Sequence, residues 1–157
     1  MDASVFFGQT GMGLALGLGA IGSALGIGAA GRSAAGAWAK EAKEGKTLSF
    51  SYIILAGMPL SQTIYAFILM LAGLAPIITK NLEFAAKHSG TLFMIGLACG
   101  VAELFSAWMQ GLIGASAIRC MSEGEGKGFA FLIITMGIVE TVGLLGFVFL
   151  LLVIPKP

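Results

Sequence analysis

One acidic residue interrupts the most apolar run of the sequence: Glu140, in TMGIVETVGLLGF. Two amides interrupt other apolar runs in the same way, Gln62 in MPLSQTIYAF and Gln110 in FSAWMQG. Met58, Ser61, Gln62 and Tyr65 follow i, i+3, i+4, i+7 spacing, which puts them on one face of a helix. Together these residues supply a carboxylate, two amide oxygens and a hydroxyl. Pro59 lacks a backbone donor, which frees the carbonyl of Leu55 and adds a further oxygen. The set contains no His or thiolate, so it suits a hard cation rather than zinc or copper. A single carboxylate neutralises one positive charge, which fits Na+ or H+ better than Ca2+. The same residues also fit an interhelical hydrogen-bond cluster around a protonated Glu140.

A second motif points elsewhere. The stretch GLGAIGSALGIGAAG, residues 17–31, matches G-x-G-x-x-G twice, the fingerprint of a dinucleotide-binding turn. Such a turn needs a preceding strand and a βαβ unit around it. Here the flanking residues are apolar and glycine-rich, and Glu41, at the distance of a ribose contact, sits among mixed charges. The glycines fit membrane-helix packing instead. Gly13 with Gly17, Gly22 with Gly26, and Ala20, Ala24 and Gly28 form small-xxx-small ladders that let helix backbones approach. Small residues occupy nearly the whole circumference, as expected of a helix wedged among several neighbours inside a ring of identical subunits.

The elements that must position these residues follow from composition. Hydrophobic residues make up 57% of the 157-residue chain and charged residues 11%. Ordinary globular domains hold roughly 45–50% and about 25%. A soluble chain of this size has too much surface to hide that apolar content, so lipid is the solvent. A net charge of +1 gives no pull toward nucleic acid, and no nucleic-acid partner is expected. Four apolar segments, about 11–36, 51–79, 91–121 and 129–155, each exceed the roughly 20 residues that span a bilayer. Helices satisfy their backbone in lipid, so the fold expected is an all-α integral membrane protein of four transmembrane helices.

Met58 pairs with Met136, Gln62 with Glu140 and Thr63 with Thr141 when the second segment is laid on the fourth. The first and third align likewise, Gly26 on Gly111 and Ala30 on Ala115. Two tandem hairpins are expected: residues 1–79, a connecting loop 80–90 outside the membrane, and residues 91–157. Arg32, Lys40, Lys43, Lys46, Arg119 and Lys127 lie at the first and third connections, against Lys80, Lys87 and Lys156 opposite. That bias places loops 37–49 and 121–128 in the cytoplasm and both termini outside. Glu140 and Gln62 each lie twelve positions from the start of their segments, and Gln110 eleven before the end of its own. All three therefore reach a common depth of roughly 16–18 Å from the cytoplasmic side.

Glu103 lies seven residues, roughly 10 Å, nearer the outer surface than Gln110. It is expected near the interface, solvated or hydrogen-bonded, rather than as a second station for an ion. His88 is expected in a solvated outer loop, and Cys99 and Cys120 as packing residues.

Two fused hairpins, a glycine-rich first helix and a carboxylate in the fourth resemble the proteolipid of the V-type rotary ATPase rotor. MPLSQTIYAF, FSAWMQG and IVETVGLLGF are most similar to its bacterial sodium-translocating branch. The resemblance implies an ion site of Glu140, Gln62, Gln110, Ser61 and the backbone carbonyl of Met58, with Tyr65 as a lid bonded to the carboxylate. It implies a ring of identical subunits and a transported Na+ (with H+ as the alternative), and no resident cofactor. It also implies a stator membrane subunit with a positive residue, a central stalk on the cytoplasmic loops, and a bacterial cell membrane. ATP is hydrolysed in other subunits, and this chain carries out no catalysis. Ser61 stands where the family commonly has threonine, and Glu103 where a small or apolar residue is expected. The competing reading from another class is a small four-helix transporter, although such exporters carry their glutamate in the first helix.

Overall fold

The computed structural model describes residues 3–156, with side chains from Val5 onward; Met1, Asp2 and Pro157, at the ends of the two expected hairpins, lie outside the described residues. The chain forms helices α1 (Ala3–Lys43), α2 (Ser51–Lys80), α3 (Leu82–Lys87), α4 (Ser89–Glu123) and α5 (Phe129–Leu152). There is no strand among the described residues. Four of the helices, all but α3, are long and apolar enough to cross a membrane. This is the all-α integral membrane fold expected from the composition.

Two helices run past the apolar segments. α1 has 41 residues and α4 has 35, or about 60 and 50 Å at 1.5 Å per residue, against a hydrocarbon core of about 30 Å. Residues 39–43 therefore belong to α1, not to the first connection. Polarity marks where lipid ends, while Ala39, Lys40, Ala42 and Lys43 still favour helix. The helix stops at Gly45, whose φ of +68° places it in the left-handed region. Glu41 then closes the connection, accepting from the Ser49 amide at 2.9 Å and the Tyr52 hydroxyl at 2.7 Å. Lys46 pairs with Glu44 at 2.9 Å and reaches Glu125 at 4.0 Å, so the first and third connections share one end of the molecule.

The connection between α2 and α4 carries the short helix α3 rather than a plain loop. The Asn81 carboxamide oxygen caps it by accepting from the Phe84 amide at 3.0 Å. His88 is half-buried there against the Phe84 ring, not simply solvated.

α1 and α4 cross along their whole length, and glycine makes that possible. Buried positions on α4 recur every eleven residues: Leu92, Glu103 and Gly114; Gly96, Ala107 and Ile118; Cys99, Gln110 and Met121. α1 repeats in the same way, with Gly11 and Gly22, Gly19 and Ala30, and Ala15, Gly26 and Ala37. That period favours a right-handed wrap. At Gly111 an added Cβ would run into the backbone of Gly26, and at Gly96 into that of Gly11. Gly19, Gly22 and Gly26 of the nucleotide fingerprint thus lie on the packed face of a membrane helix, while Gly17 and Gly31 meet open space. Of the ladders read from sequence, Gly22 and Gly26 pack within the chain, whereas a Cβ on Gly13 or Gly17 meets open space.

α2 is not uniform. Met58–Leu60 form a 3-10 turn around Pro59, and Leu69–Leu74 a π-helical turn just ahead of Pro76. Both are local repairs where proline removes a backbone donor. The carbonyl of Leu55, freed by Pro59, faces Gly114 of α4.

Candidate functional site: a carboxylate held by two amides

The 3-10 turn at Pro59 turns α2 so that Gln62 faces inward to α4 and α5. Gln62 and Gln110 are both fully buried, and a single hydrogen-bond chain joins them. The Gln62 amide nitrogen donates to Gln110 Oε1 at 3.2 Å and to Ser106 Oγ at 3.1 Å. The Gln110 nitrogen donates to Glu140 Oε2 at 3.0 Å and to the Met136 carbonyl at 3.2 Å. The Tyr65 hydroxyl donates to Glu140 Oε1 at 3.0 Å, and its ring stacks on Phe147 with centroids 5.8 Å apart. Glu140 itself is half-buried in the single chain.

The other end of the chain is rich in oxygen. The Ser61 hydroxyl stands 3.0 Å from the Met58 carbonyl and 3.1 Å from Gln62 Oε1. The hydroxyl has one proton for the Met58 carbonyl and Gln62 Oε1, and the carbonyl also accepts from the Ser61 amide. The structure therefore brings together all six residues singled out from sequence: Met58, Ser61, Gln62, Tyr65, Gln110 and Glu140. One orientation differs from the reading of Gln110 as an oxygen ligand. Gln110 meets Glu140 with its amide nitrogen, and its oxygen is taken by Gln62.

The family model for the C subunit of ATP synthase matches the chain twice, over residues 10–72 and 93–153. The chain belongs to the ATP synthase C-subunit family. The first match spans most of α1 and α2, and the second spans α4 and α5. A comparison with curated proteins found no match. As a member of this family the chain is an integral membrane component of a rotary ATPase, in whose ring identical copies stand together. ATP is hydrolysed elsewhere in such a complex.

Two residues escaped the sequence reading. Ser106 links the amide chain to α5, donating to the Val139 carbonyl at 3.0 Å while accepting from Gln62. Its spacing of i+4 to Gln110 was the available signal. Ser23 of α1 braces the proline turn, donating to the Pro59 carbonyl at 2.5 Å and accepting from Thr63 at 2.7 Å.

Glu103 corrects the sequence expectation. It is neither solvated nor hydrogen-bonded: it is 0% exposed, and neither carboxyl oxygen has a hydrogen-bond partner among the described residues. Fourteen residues, about 21 Å along the helix, separate it from the start of α4 at Ser89. Cys99 is buried as a packing residue, whereas Cys120 is exposed near the end of α4.

Proposed function

We propose that this chain is the rotor-ring proteolipid of a V-type rotary ATPase, and that it carries Na+ across a bacterial cell membrane on Glu140. The observation that carries the reading is the oxygen cluster beside the carboxylate. Met58 O, Ser61 Oγ and Gln62 Oε1 stand together with a single side-chain proton for two acceptors, and their remaining lone pairs suit a small hard cation. Glu140 accepts from two donors, Tyr65 and Gln110, which is the pattern of an ionised carboxylate. The Na+ ligands are Glu140, Gln62, Gln110, Ser61 and the Met58 carbonyl, with Tyr65 as the lid. Gln110 joins the set by a half-turn of its amide, which replaces the nitrogen at Glu140 with its oxygen.

The mechanism follows from charge. An ionised acid at the centre of a membrane helix costs about 2.5–3.5 kcal/mol, so a bare Glu140 resists facing lipid. Bound Na+ cancels that charge and lets the loaded site turn through lipid. A positive residue on a stator membrane subunit attracts the carboxylate and displaces the cation into an exit path. Residues 1–79 and 91–157 act as two hairpin units joined by 80–90, with both termini outside. Loops 37–49 and 121–128 face the cytoplasm and receive the central stalk. The open stripe of Gly13 and Gly17 suits close approach of a neighbouring copy, beside the α4 contact already made within the chain.

Labelling Glu140 of the purified ring with a hydrophobic carbodiimide, at fixed pH and graded Na+, tests the ion. Millimolar Na+ is expected to protect Glu140. Absence of protection would leave H+ as the carried ion. Glu140→Gln is expected to abolish ATP-driven ion uptake into vesicles, and retained uptake would remove Glu140 from transport altogether.

A further inference from the structure

Glu103 is a second carboxyl inside the membrane, on the same face of α4 as Ser106 and Gln110 at i, i+3 and i+7. It is wholly buried and both its oxygens lack partners among the described residues. Gly143 of α5 leaves room in front of it: a Cβ there would stand 2.7 Å from Glu103 Oε2 and 2.8 Å from Ser106 Oγ. The two oxygens thus look into one small space.

The supply of protons around that space decides the state of the acid. Both amide protons of Gln62 are given to Ser106 and Gln110. Both of Gln110 go to Met136 O and Glu140. Ser106 gives its only proton to Val139 O, and Tyr65 gives its own to Glu140. Every amide and hydroxyl donor in the cluster is committed, so an ionised Glu103 would find only the weak thiol donor of Cys99. Each neighbouring element gives the same answer. Glu140 on α5 is a like charge, while α2 presents Tyr65 and α4 itself Cys99, neither a cation. α1 contributes Gly19. A buried carboxylate without donor or counter-charge is far costlier than a buried acid.

We propose that Glu103 is a neutral carboxylic acid, holding one non-travelling proton in each copy of the chain, and that its O–H donates toward Ser106 across the space beside Gly143. Ser106 has the lone pair for it, since its hydroxyl accepts from Gln62 and can accept once more. Glu103 then acts as a positioning residue. It fixes Ser106, which fixes the Gln62 amide, itself a ligand in the cation-site reading. The positioning role rests on the cation-site reading above; the bound proton does not.

Infrared spectra of the purified ring in saturating Na+ at neutral pH test the proton. A carboxylic C=O band is expected in Glu140→Gln, where Glu103 is the membrane acid that remains, and its loss is expected when Glu103→Gln is added to that variant. No such band in Glu140→Gln, or a band that survives in the double variant, overturns the proposal. The positioning role is read from the Na+ concentration that half-protects Glu140 from carbodiimide. Glu103→Gln keeps a neutral donor and is expected within twofold of the parent. Glu103→Val, neutral but without a donor, is expected to raise the midpoint about five- to tenfold, the loss of roughly one hydrogen bond. An unchanged midpoint in Glu103→Val overturns the positioning role. If Na+ protects no variant and not the parent, the cation reading falls, and the infrared band still decides the state of Glu103.

Discussion

Gly111→Ala tests the α1–α4 crossing, the contact on which the site's geometry depends. The new Cβ would run into the Cα, carbonyl carbon and oxygen of Gly26, all backbone atoms that cannot rotate aside. Ordinary carbon contacts lie at about 3.5–4.0 Å, so the helices must part locally by about 1 Å. A gap of that size forfeits a quarter to a half of each dispersion contact, worth about 0.1–0.2 kcal/mol. Over about forty atom pairs at the crossing, the loss is about 2–3 kcal/mol. Lipid offers no hydrophobic compensation, because it is as apolar as the helices. Alanine returns up to about 1 kcal/mol in helix propensity, leaving a net loss of about 1–2 kcal/mol. Gly17→Ala supplies the control: it carries the same propensity gain but meets open space within the chain. Unfolding of the isolated protein by dodecyl sulfate in mixed micelles is expected to separate the two variants by about 2–3 kcal/mol. Equal stability, or equal damage, would refute the crossing as the source of helix packing here.

Tyr65→Phe keeps the stack on Phe147 and removes only the hydroxyl that donates to Glu140. Hydrogen bonds to charged groups are worth about 1.5–3 kcal/mol, so the Na+ midpoint for protecting Glu140 is expected to rise at least tenfold. An unchanged midpoint would show that the hydroxyl does not hold the carboxylate. At the connections, Lys46 holds the Glu44 carboxyl below its usual range through their hydrogen bond, and Glu44 in turn raises the Lys46 ammonium. Lys46→Met is expected to move Glu44 back toward the ordinary range in carboxyl NMR titrations, with Lys40 still lowering it. Any stability from this pair is present above the ordinary carboxylate range and lost as pH falls through Glu44's lowered one. Both groups are fully exposed, so no change in unfolding is expected across that window.

The number of spanning helices was legible because apolar length has no other explanation in so small a chain. Their ends were not, because Lys40, Glu41 and Lys43 look like a loop by polarity yet continue α1 into water. α3 was missed for a similar reason, although Asn81 three residues before Phe84 carried a capping signal. The six residues of the candidate site converge because depth and face were both readable for them. Glu103 was misplaced because it was assigned by distance from Gln110 alone. Seven residues are nearly two full turns, so the same count that moved Glu103 outward also kept it on the buried face. Periodicity outranks depth when a helix is longer than the membrane is thick.

That correction bears on which ion the site can hold. Two ionised acids in one cluster would present two negative charges, a match for a divalent cation or for two monovalent ones. With Glu103 neutral, Glu140 carries the only charge, and one monovalent ion neutralises it. The donor inventory makes the division sharp: two donors converge on Glu140 and none on Glu103. On the proposed reading, one carboxyl loses its proton to a competing cation and the other keeps it. The six oxygens and nitrogens between them, on Ser61, Gln62, Ser106 and Gln110, are the means by which the fixed proton can set the grip on the mobile charge.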